Sequence, residues 1–487
     1  MCRILLVQPA SNIMKNRKEG KPALQPLGLA YIAGTLIANG YKDVQILDAL
    51  AEGYYNETPF KKDYIRYGLS PKEIKKRIKE FNPDIVGVSC ICNLRQHHAL
   101  EICELAKEVN KKIVTIIGGN PVTTDPKWFL KEKYVDYGIM GEGEQPFLEL
   151  VKRVDGRDCL VKCLIDGIAY KEKNKYIIQP QKVWRKDMDN MPFPAHHLLP
   201  LDKHLEIWNK EGYHYYPAKK FTSMVMARGC PNFCEHCPHS VIFPGYRPRS
   251  AKNIFEEVKM VHEQLGVIEI QFHEYNGIVI WSIVEEFCKL MIESGLNKKV
   301  SWGWPIGIWL KALNYDRLKL MRESGMFYVD LAIESSNQKI LDNLMKGKDV
   351  DLSHTMNVIK WSRELGYYIN CFFMLGLEGQ TKKDIEDTIK FSSKLDVDTI
   401  AYFIAQPLPG TPFWDHCVKK KLFNDDFETF HLRYGKSNIK VEGITSEELE
   451  HYRHKAREDF VNYWKKHGRK PYAGKRGNDF LLKRGCE

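Results

Sequence analysis

Several features that would assign this chain to a familiar class are missing from it. It has no run of about eighteen apolar residues, so no segment is long enough to cross a bilayer as a helix. No apolar leader follows Met1-Cys2-Arg3, and the odd total of 13 cysteines is scattered singly. Both observations argue against a secreted, disulfide-built fold and for a reducing, cytoplasmic setting. The Gly-x-Gly-x-x-Gly fingerprint is absent from the amino-terminal region, which argues against a nicotinamide cofactor. Nor does any aromatic-interleaved recognition motif accompany the basic excess. The formal net charge of +11 collects towards the end, from Arg453 through Lys465, Lys466, Arg469, Lys470, Lys475, Arg476, Lys483 and Arg484. Such a tail is expected to be a solvated surface and not a nucleic-acid site.

The 487 residues, 44% hydrophobic and 28% charged, suffice for two or three domains with proper cores. From 1 to 155, short β-branched runs alternate with amphipathic stretches, the pattern of a doubly wound parallel sheet. Strands are expected at Arg3–Val7, Val44–Leu47, Ile85–Ser89, Ile113–Gly118 and Tyr137–Met140. Helices are expected at Gly28–Asn39, Pro71–Phe81, His97–Val109 and Gln145–Val154. In such a Rossmann-like layer ligands sit at the carboxyl ends of strands, so Ser89–Arg95, Gly118–Pro121 and Gly141–Gln145 should converge on one crevice. A linker over 156–215 is expected to contain hairpin-like material at Leu160–Ile178 and the extended segment Pro192-Phe193-Pro194. From 216 to 412 six further β/α units, with strands at Ser223–Ala227, Ile268–His273, Val300–Trp304, Phe327–Ile333, Tyr367–Leu375 and Thr399–Gln406, predict a partial parallel barrel. The region 413–487 reads as mostly helical and basic, with a helix over Ser446–His467.

The first barrel strand runs into Arg228-Gly229-Cys230-Pro231-Asn232-Phe233-Cys234-Glu235-His236-Cys237. Three cysteines at C-x3-C-x2-C spacing offer a [4Fe–4S] cube one thiolate fewer than it normally takes, which leaves one iron open to a substrate or cofactor. A zinc site needs a fourth ligand, and His236 and His239 crowd the same turn without a second ligand pair some distance away. Catalytic groups of parallel barrels come from the carboxyl ends of strands, where this loop lies.

These residues resemble the radical S-adenosylmethionine (SAM) superfamily, in its large class with an amino-terminal cobalamin-binding domain. The resemblance implies that the open iron chelates the amino and carboxylate groups of SAM, whose reductive cleavage yields a 5′-deoxyadenosyl radical. Ala332-Ile333-Glu334-Ser335-Ser336 resembles the family's fourth-strand segment, which implies that Glu334 and Ser335 approach the SAM ribose or amino group. Gly376-Leu377-Glu378-Gly379-Gln380-Thr381 is similar to its fifth-strand turn, and Pro407-Leu408-Pro409-Gly410-Thr411-Pro412 to its closing segment. The second strand ends in His273-Glu274-Tyr275-Asn276-Gly277 where relatives carry other acidic motifs, so the amino-group role falls to Glu274. Ser301-Trp302-Gly303-Trp304-Pro305 replaces a Thr-Arg pair. In the amino-terminal domain, Pro26–Ala33 is similar to the opening helix, and Gly118-Gly119-Asn120-Pro121 with Gly141-Glu142-Gly143-Glu144 to two later loops. A corrin is expected to rest on Cys90-Ile91-Cys92-Asn93-Leu94-Arg95. The Asp-x-His-x-x-Gly signature is absent, which implies cobalamin without a histidine lower ligand.

The resemblance implies a cobalamin-dependent methyltransferase acting on an unactivated carbon, fed by a low-potential donor such as flavodoxin or ferredoxin. A cyclase, a rearrangement enzyme or an oxidoreductase of the same class uses the same parts, and a non-catalytic cobalamin or iron–sulfur binding protein is the reading from outside enzymology. Tyr275, Trp302, Trp304, Tyr328 and Asp330 are the substrate candidates; Tyr328 and Asp330 share the face of Glu334 if strand alternation holds. A small metabolite, a lipid or a peptide fits these residues equally. His97, His98, His196 and His197 are expected at the surface, and Cys90, Cys92 and Cys371 in packing roles.

Overall fold

The computed structural model describes residues 1–15, 21–156, 165–211, 219–433, 435–441 and 443–468. It divides into two compact units, Met1–Ile207 and Trp208–Glu487.

The first unit is built on a seven-stranded sheet. Its strands are β1 (Ile4–Gln8), β3 (Val44–Asp48), β6 (Ile85–Ser89), β7 (Val114–Gly118), β8 (Tyr137–Ile139), β9 (Ile168–Glu172) and β10 (Lys175–Gln179). The order is β10-β9-β8-β7-β6-β1-β3. The first five in sequence are parallel, and β9 and β10 add an antiparallel edge. β1 is buried on both faces: Leu5 and Val7 pack into one core cluster, Ile4 and Leu6 into the other. That is why its sequence is a continuous apolar run. The helix Pro71–Phe81 begins with a Ser70/Glu73 capping box and ends at Asn82 in the left-handed conformation, so both ends are written locally.

Three short strands, β2 (Ser11–Met14), β4 (Glu57–Phe60) and β5 (Tyr64–Tyr67), form a separate antiparallel sheet that periodicity does not announce. The stretch read as a linker is a second difference. β9 pairs with β8, Ala195 N donates to Ala30 O at 2.9 Å, and the first unit continues to Ile207. The hairpin therefore belongs to the sheet; the part of it expected at 160–164 lies outside the described residues.

The second unit contains six parallel strands in two three-stranded ladders. β11 (Phe221–Met224), β14 (Glu269–Phe272) and β15 (Ser301–Gly303) form one; β16 (Tyr328–Glu334), β17 (Tyr368–Leu375) and β18 (Thr399–Ile404) form the other. Isolated parallel bridges Trp302–Met326 and Ile308–Leu331 join them into a partial barrel. A two-residue ribbon of β12 (Ala227–Arg228) and β13 (Arg247–Pro248) closes the loop that carries the cysteines. The helix Ser446–Lys466, capped by Thr445 and Glu448, packs against β18 and the helix Lys382–Ser392. The basic residues from Arg469 to Arg484 lie outside the described residues.

Candidate active site

The cysteine loop leaves β12 through Gly229, whose φ of +81° and whose approach to Gly245 O, 1.5 Å from where a Cβ would sit, leave room for no other residue. The loop is pinned from outside by backbone bonds: Phe233 N to Lys346 O (2.9 Å), Glu235 N to Leu344 O (3.1 Å) and Phe413 N to Glu235 O (3.1 Å). The last of these anchors the helix that follows Pro407–Thr411, so two of the segments in the family resemblance meet at this loop. Cys230, Cys234 and Cys237 are half-buried and unpaired. Burial pushes the Cys234 thiol up to about 11 and the Cys237 thiol up to about 12, against the opposing charge of Lys348. Ionising them is thus coupled to metal capture.

Among the described residues no three His, Cys, Asp or Glu side chains converge so as to hold one metal ion. A single zinc ion requires that convergence, whereas in an iron–sulfur cube each thiolate takes a different iron. The loop fits the cube, with three ligands and no fourth.

Around it lie polar atoms buried without partners: His236 Nδ1 in the loop, and His273 Nε2 and Asn276 Oδ1 just after β14. Buried polar groups are ordinarily satisfied, so this set fits a polar small molecule at the strand ends. Glu274 is buried, accepts from Met226 N at 3.0 Å and from the Trp304 indole, and burial raises its carboxyl to about 7 against those two bonds. A Cβ on Gly277 would sit 2.3 Å from Glu274 Oε1 and 2.2 Å from Trp304 Nε1. The carboxylate is therefore already engaged within the protein.

Of the substrate candidates, Tyr275 is 47% exposed and stacks on the buried His239 with ring centroids 3.6 Å apart. Trp302 is a correction. It is wholly buried against Phe272, Phe287 and Trp304, and its indole donates to Ser324 O at 3.1 Å, which makes it core. Trp304 is buried as the donor to Glu274. Tyr328 and Asp330 are buried on β16. The alternation linking them to Glu334 fails, because the register with β17 shifts between Ala332 and Glu334.

Glu334 itself has φ +71°, a left-handed conformation that costs a non-glycine residue on the order of 1–3 kcal/mol and clusters at functional sites. Its Oε1 pairs with Lys348 Nζ at 2.7 Å. Ser335 is buried and its hydroxyl accepts from Asn337 N at 3.1 Å. Gly376, at φ +79°, donates its N–H to Gln380 Oε1 at 2.9 Å, so the Gln380 side chain builds the turn.

In the first unit, the Cys90–Arg95 loop follows β6 beside β1, the point at which the strand order reverses and ligands bind in such sheets. The first two expected loops meet where Cys90 N donates to Gly118 O at 2.7 Å, and the third reaches the short helix Asn120–Thr124 that follows, Gly141 N donating to Thr123 Oγ1 at 2.9 Å. Gly119 has φ +118°, and a Cβ on it would lie 2.1 Å from Cys90 O. Gly141 has φ +79°, and a Cβ there would strike Gln181 Oε1, which also accepts from Glu142 N at 2.7 Å. The packing of neighbouring loops thus accounts for these two glycines. Gly118 has no such constraint, its nearest neighbour lying 3.5 Å from the Cβ position. Gly143 is the N-cap of the helix Glu144–Val154.

Asn93 Nδ2 donates to Gln96 Oε1 at 3.3 Å, and Leu94 O accepts from Asn12 Nδ2 at 2.5 Å. The other end of that amide, Asn12 Oδ1, is buried with no partner. A corrin, rimmed by amide donors, would supply the donor that this atom lacks, so the loop fits the group. Behind it runs a buried chain. Arg95 donates to Gln8 Oε1 at 3.1 Å, Gln8 Nε2 to Asp48 Oδ1 at 2.9 Å, and Asp48 Oδ2 meets His204 Nε2 at 2.9 Å. Burial alone would raise the Asp48 carboxyl, but the hydrogen bond and charge of His204, with Ala51 N–H and Gln8, hold it below its ordinary value.

The histidines expected at the surface need correcting: His98 is 2% exposed against Phe60, and His196 is buried as well. Asn12, Gln181, His204 and Lys348 carried no signal in the sequence, since each reaches its place through distant packing.

A Rossmann-like layer followed by a partial barrel with an open three-cysteine loop defines a class of cofactor-dependent α/β enzyme. Comparison with known proteins narrows it. Residues 19–151 match the family described as the B12 binding domain and residues 224–392 the radical SAM superfamily. The chain is 30% identical over 423 residues to an uncharacterized methyltransferase of Pyrococcus horikoshii, covering 86% of this chain and 84% of that one. It is 29% identical over 489 residues to the cytidylyl-2-hydroxyethylphosphonate methyltransferase of Streptomyces wedmorensis, covering 94% and 90%. A solved structure of the radical SAM methyltransferase TsrM from Kitasatospora setae, with cobalamin and a [4Fe-4S] cluster bound, superposes with a TM-score of 0.67 at 15% identity, covering 86% of this chain and 78% of that one. The chain belongs to the radical SAM enzymes that carry an amino-terminal B12 binding domain. No described helix is long and apolar enough to cross a membrane.

Proposed function

We propose that this chain is a cobalamin-dependent radical SAM methyltransferase that adds a methyl group to an unactivated carbon of a small molecule. The observation that carries the reading is the three-cysteine loop at the carboxyl ends of barrel strands, in a chain that also has a B12 binding domain and aligns nearly end to end with methyltransferases.

When bound, the cluster supplies the electron that cleaves SAM, and cobalamin relays the methyl group. The protein's part is to bind, orient and exclude water. Cys230, Cys234 and Cys237 would hold the cluster, and the SAM amino and carboxylate groups would bind beside them. His236, His273 and Asn276 offer buried polar atoms to the same ligand. Glu334 and Ser335 lie at the next strand end, and Gly376 shapes the turn after β17. Glu274 acts one step removed, by fixing Trp304 and the Met226 backbone. Asn93–Arg95, Gly118, Gly119 and Gly141–Gly143 would form the corrin site. Tyr275, exposed and stacked, is the favoured substrate contact, with the buried Asp330 and Tyr328 as further candidates. A flavodoxin- or ferredoxin-like donor in the cytoplasm supplies the electron.

Anaerobic reconstitution with iron, sulfide and hydroxocobalamin tests this reading. One corrinoid should be retained per chain, and 5′-deoxyadenosine should form on adding dithionite and SAM. Absence of 5′-deoxyadenosine after verified cluster loading would sink the enzyme reading.

A further inference from the structure

We infer that Lys348 is a positioning residue for the electron-transfer step: its ammonium, held by Glu334, presents positive charge to the cysteine loop and makes the cluster easier to reduce. The inference rests on the cluster reading above and goes beyond it.

Three observations place the charge. The segment Leu344–Lys348 lies directly on the loop. Leu344 O and Lys346 O accept from Glu235 N and Phe233 N, and the Cβ position of Gly347, at φ +80°, is 3.4 Å from Asn232 Oδ1. Lys348 is then turned inward, its side chain only 13% exposed, and tied to the 10%-exposed Glu334 at 2.7 Å. Glu334 is the last residue of β16, so the pair lies at the carboxyl ends of the barrel strands, on the side that carries the cysteine loop.

Burying a lysine costs free energy unless it is paired. Glu334 satisfies it, and does so from a strained backbone at a strand bulge. An arrangement that costs strain to hold an ammonium at the cysteine loop has an electrostatic consequence. Reduction adds one electron to the cluster, from dithionite in the test below, and so one negative charge. A nearby cation stabilises the reduced form over the oxidised one, and net local charge is among the terms that set such potentials.

The test is a redox titration of the reconstituted full-length protein, followed by the electron paramagnetic resonance signal of the reduced cluster. At a fixed potential, Lys348→Met should lower the ratio of reduced to oxidised cluster about tenfold, equivalent to about 59 mV for one electron. Lys348→Arg should restore it. Glu334→Gln, which leaves the ammonium uncompensated, should shift the ratio the opposite way. General damage to the loop would move both variants in the same direction, so opposite signs separate an electrostatic role from a structural one. If Lys348→Met fails to load iron, Glu334→Gln and Lys348→Arg decide. An unchanged ratio in loaded Lys348→Met, or shifts of the same sign in Lys348→Met and Glu334→Gln, would overturn the inference and leave the cluster reading intact. A wild-type protein that loads no cluster would overturn both.

Discussion

Replacing any one of Cys230, Cys234 or Cys237 with alanine is expected to reduce 5′-deoxyadenosine formation by more than about 100-fold. Changes to the groups around a metal centre cost 10- to 100-fold, and loss of a direct ligand exceeds that range. The loop carries three cysteines and no other, so it has no substitute thiolate to offer. Iron and sulfide content after anaerobic reconstitution should fall in parallel. The control is Cys288→Ala in the same unit. Cys288 is buried in the core and accepts from Ser324 Oγ at 3.2 Å, so its loss removes a thiol without touching the loop. That variant should keep both iron and turnover. If a triad variant retained its full iron content and formed 5′-deoxyadenosine at the wild-type rate, the assignment of the loop would be wrong.

The second large effect belongs to the first unit. His204→Ala leaves the Asp48 carboxylate wholly buried with only Gln8 and Ala51 N to compensate it. Removing one partner of a buried pair typically costs about 3–5 kcal/mol. Chemical denaturation should then show an early transition for the first unit, with the second unit unfolding as before. The Asp48 carboxyl is held below its ordinary value in the fold. Its contribution is therefore fully present above the ordinary carboxylate range, near about 3.9, and is lost as pH falls through the lower folded value. The gap between wild type and His204→Ala should narrow over that acidic window. Since Gln8 passes the contact on to Arg95, hydroxocobalamin should also bind the variant more weakly.

What was legible in the sequence follows from how locally each feature is determined. The helix Pro71–Phe81 and the strand Ile85–Ser89 were readable to the residue, the first because Ser70, Pro71 and Glu73 write its start and the second because a buried parallel strand is a continuous apolar run. The cysteine triad was readable because cluster chemistry fixes its spacing within one loop. The sheet of β2, β5 and β4 was not, since Ser11–Met14 meets a partner some fifty residues away and has no alternation to mark it. Trp302 looked like a substrate contact because its neighbours are aromatic, whereas those neighbours are core. The bulge before Glu334 was invisible because the run Tyr328–Ile333 gives no sign of a register shift, yet it decides which way the carboxylate turns. Lys348, Asn12 and His204 reach their places through contacts between distant segments, which local spacing does not encode.

The most direct measurement of the central claim follows a labelled methyl group. The reconstituted, cobalamin-loaded protein is incubated anaerobically with dithionite, SAM carrying a trideuterated methyl group, and a metabolite extract, and the small molecules are resolved by mass. The account predicts a product bearing the intact labelled methyl, formed in step with 5′-deoxyadenosine and S-adenosylhomocysteine. Accumulation of 5′-deoxyadenosine with no labelled product and no S-adenosylhomocysteine would contradict it.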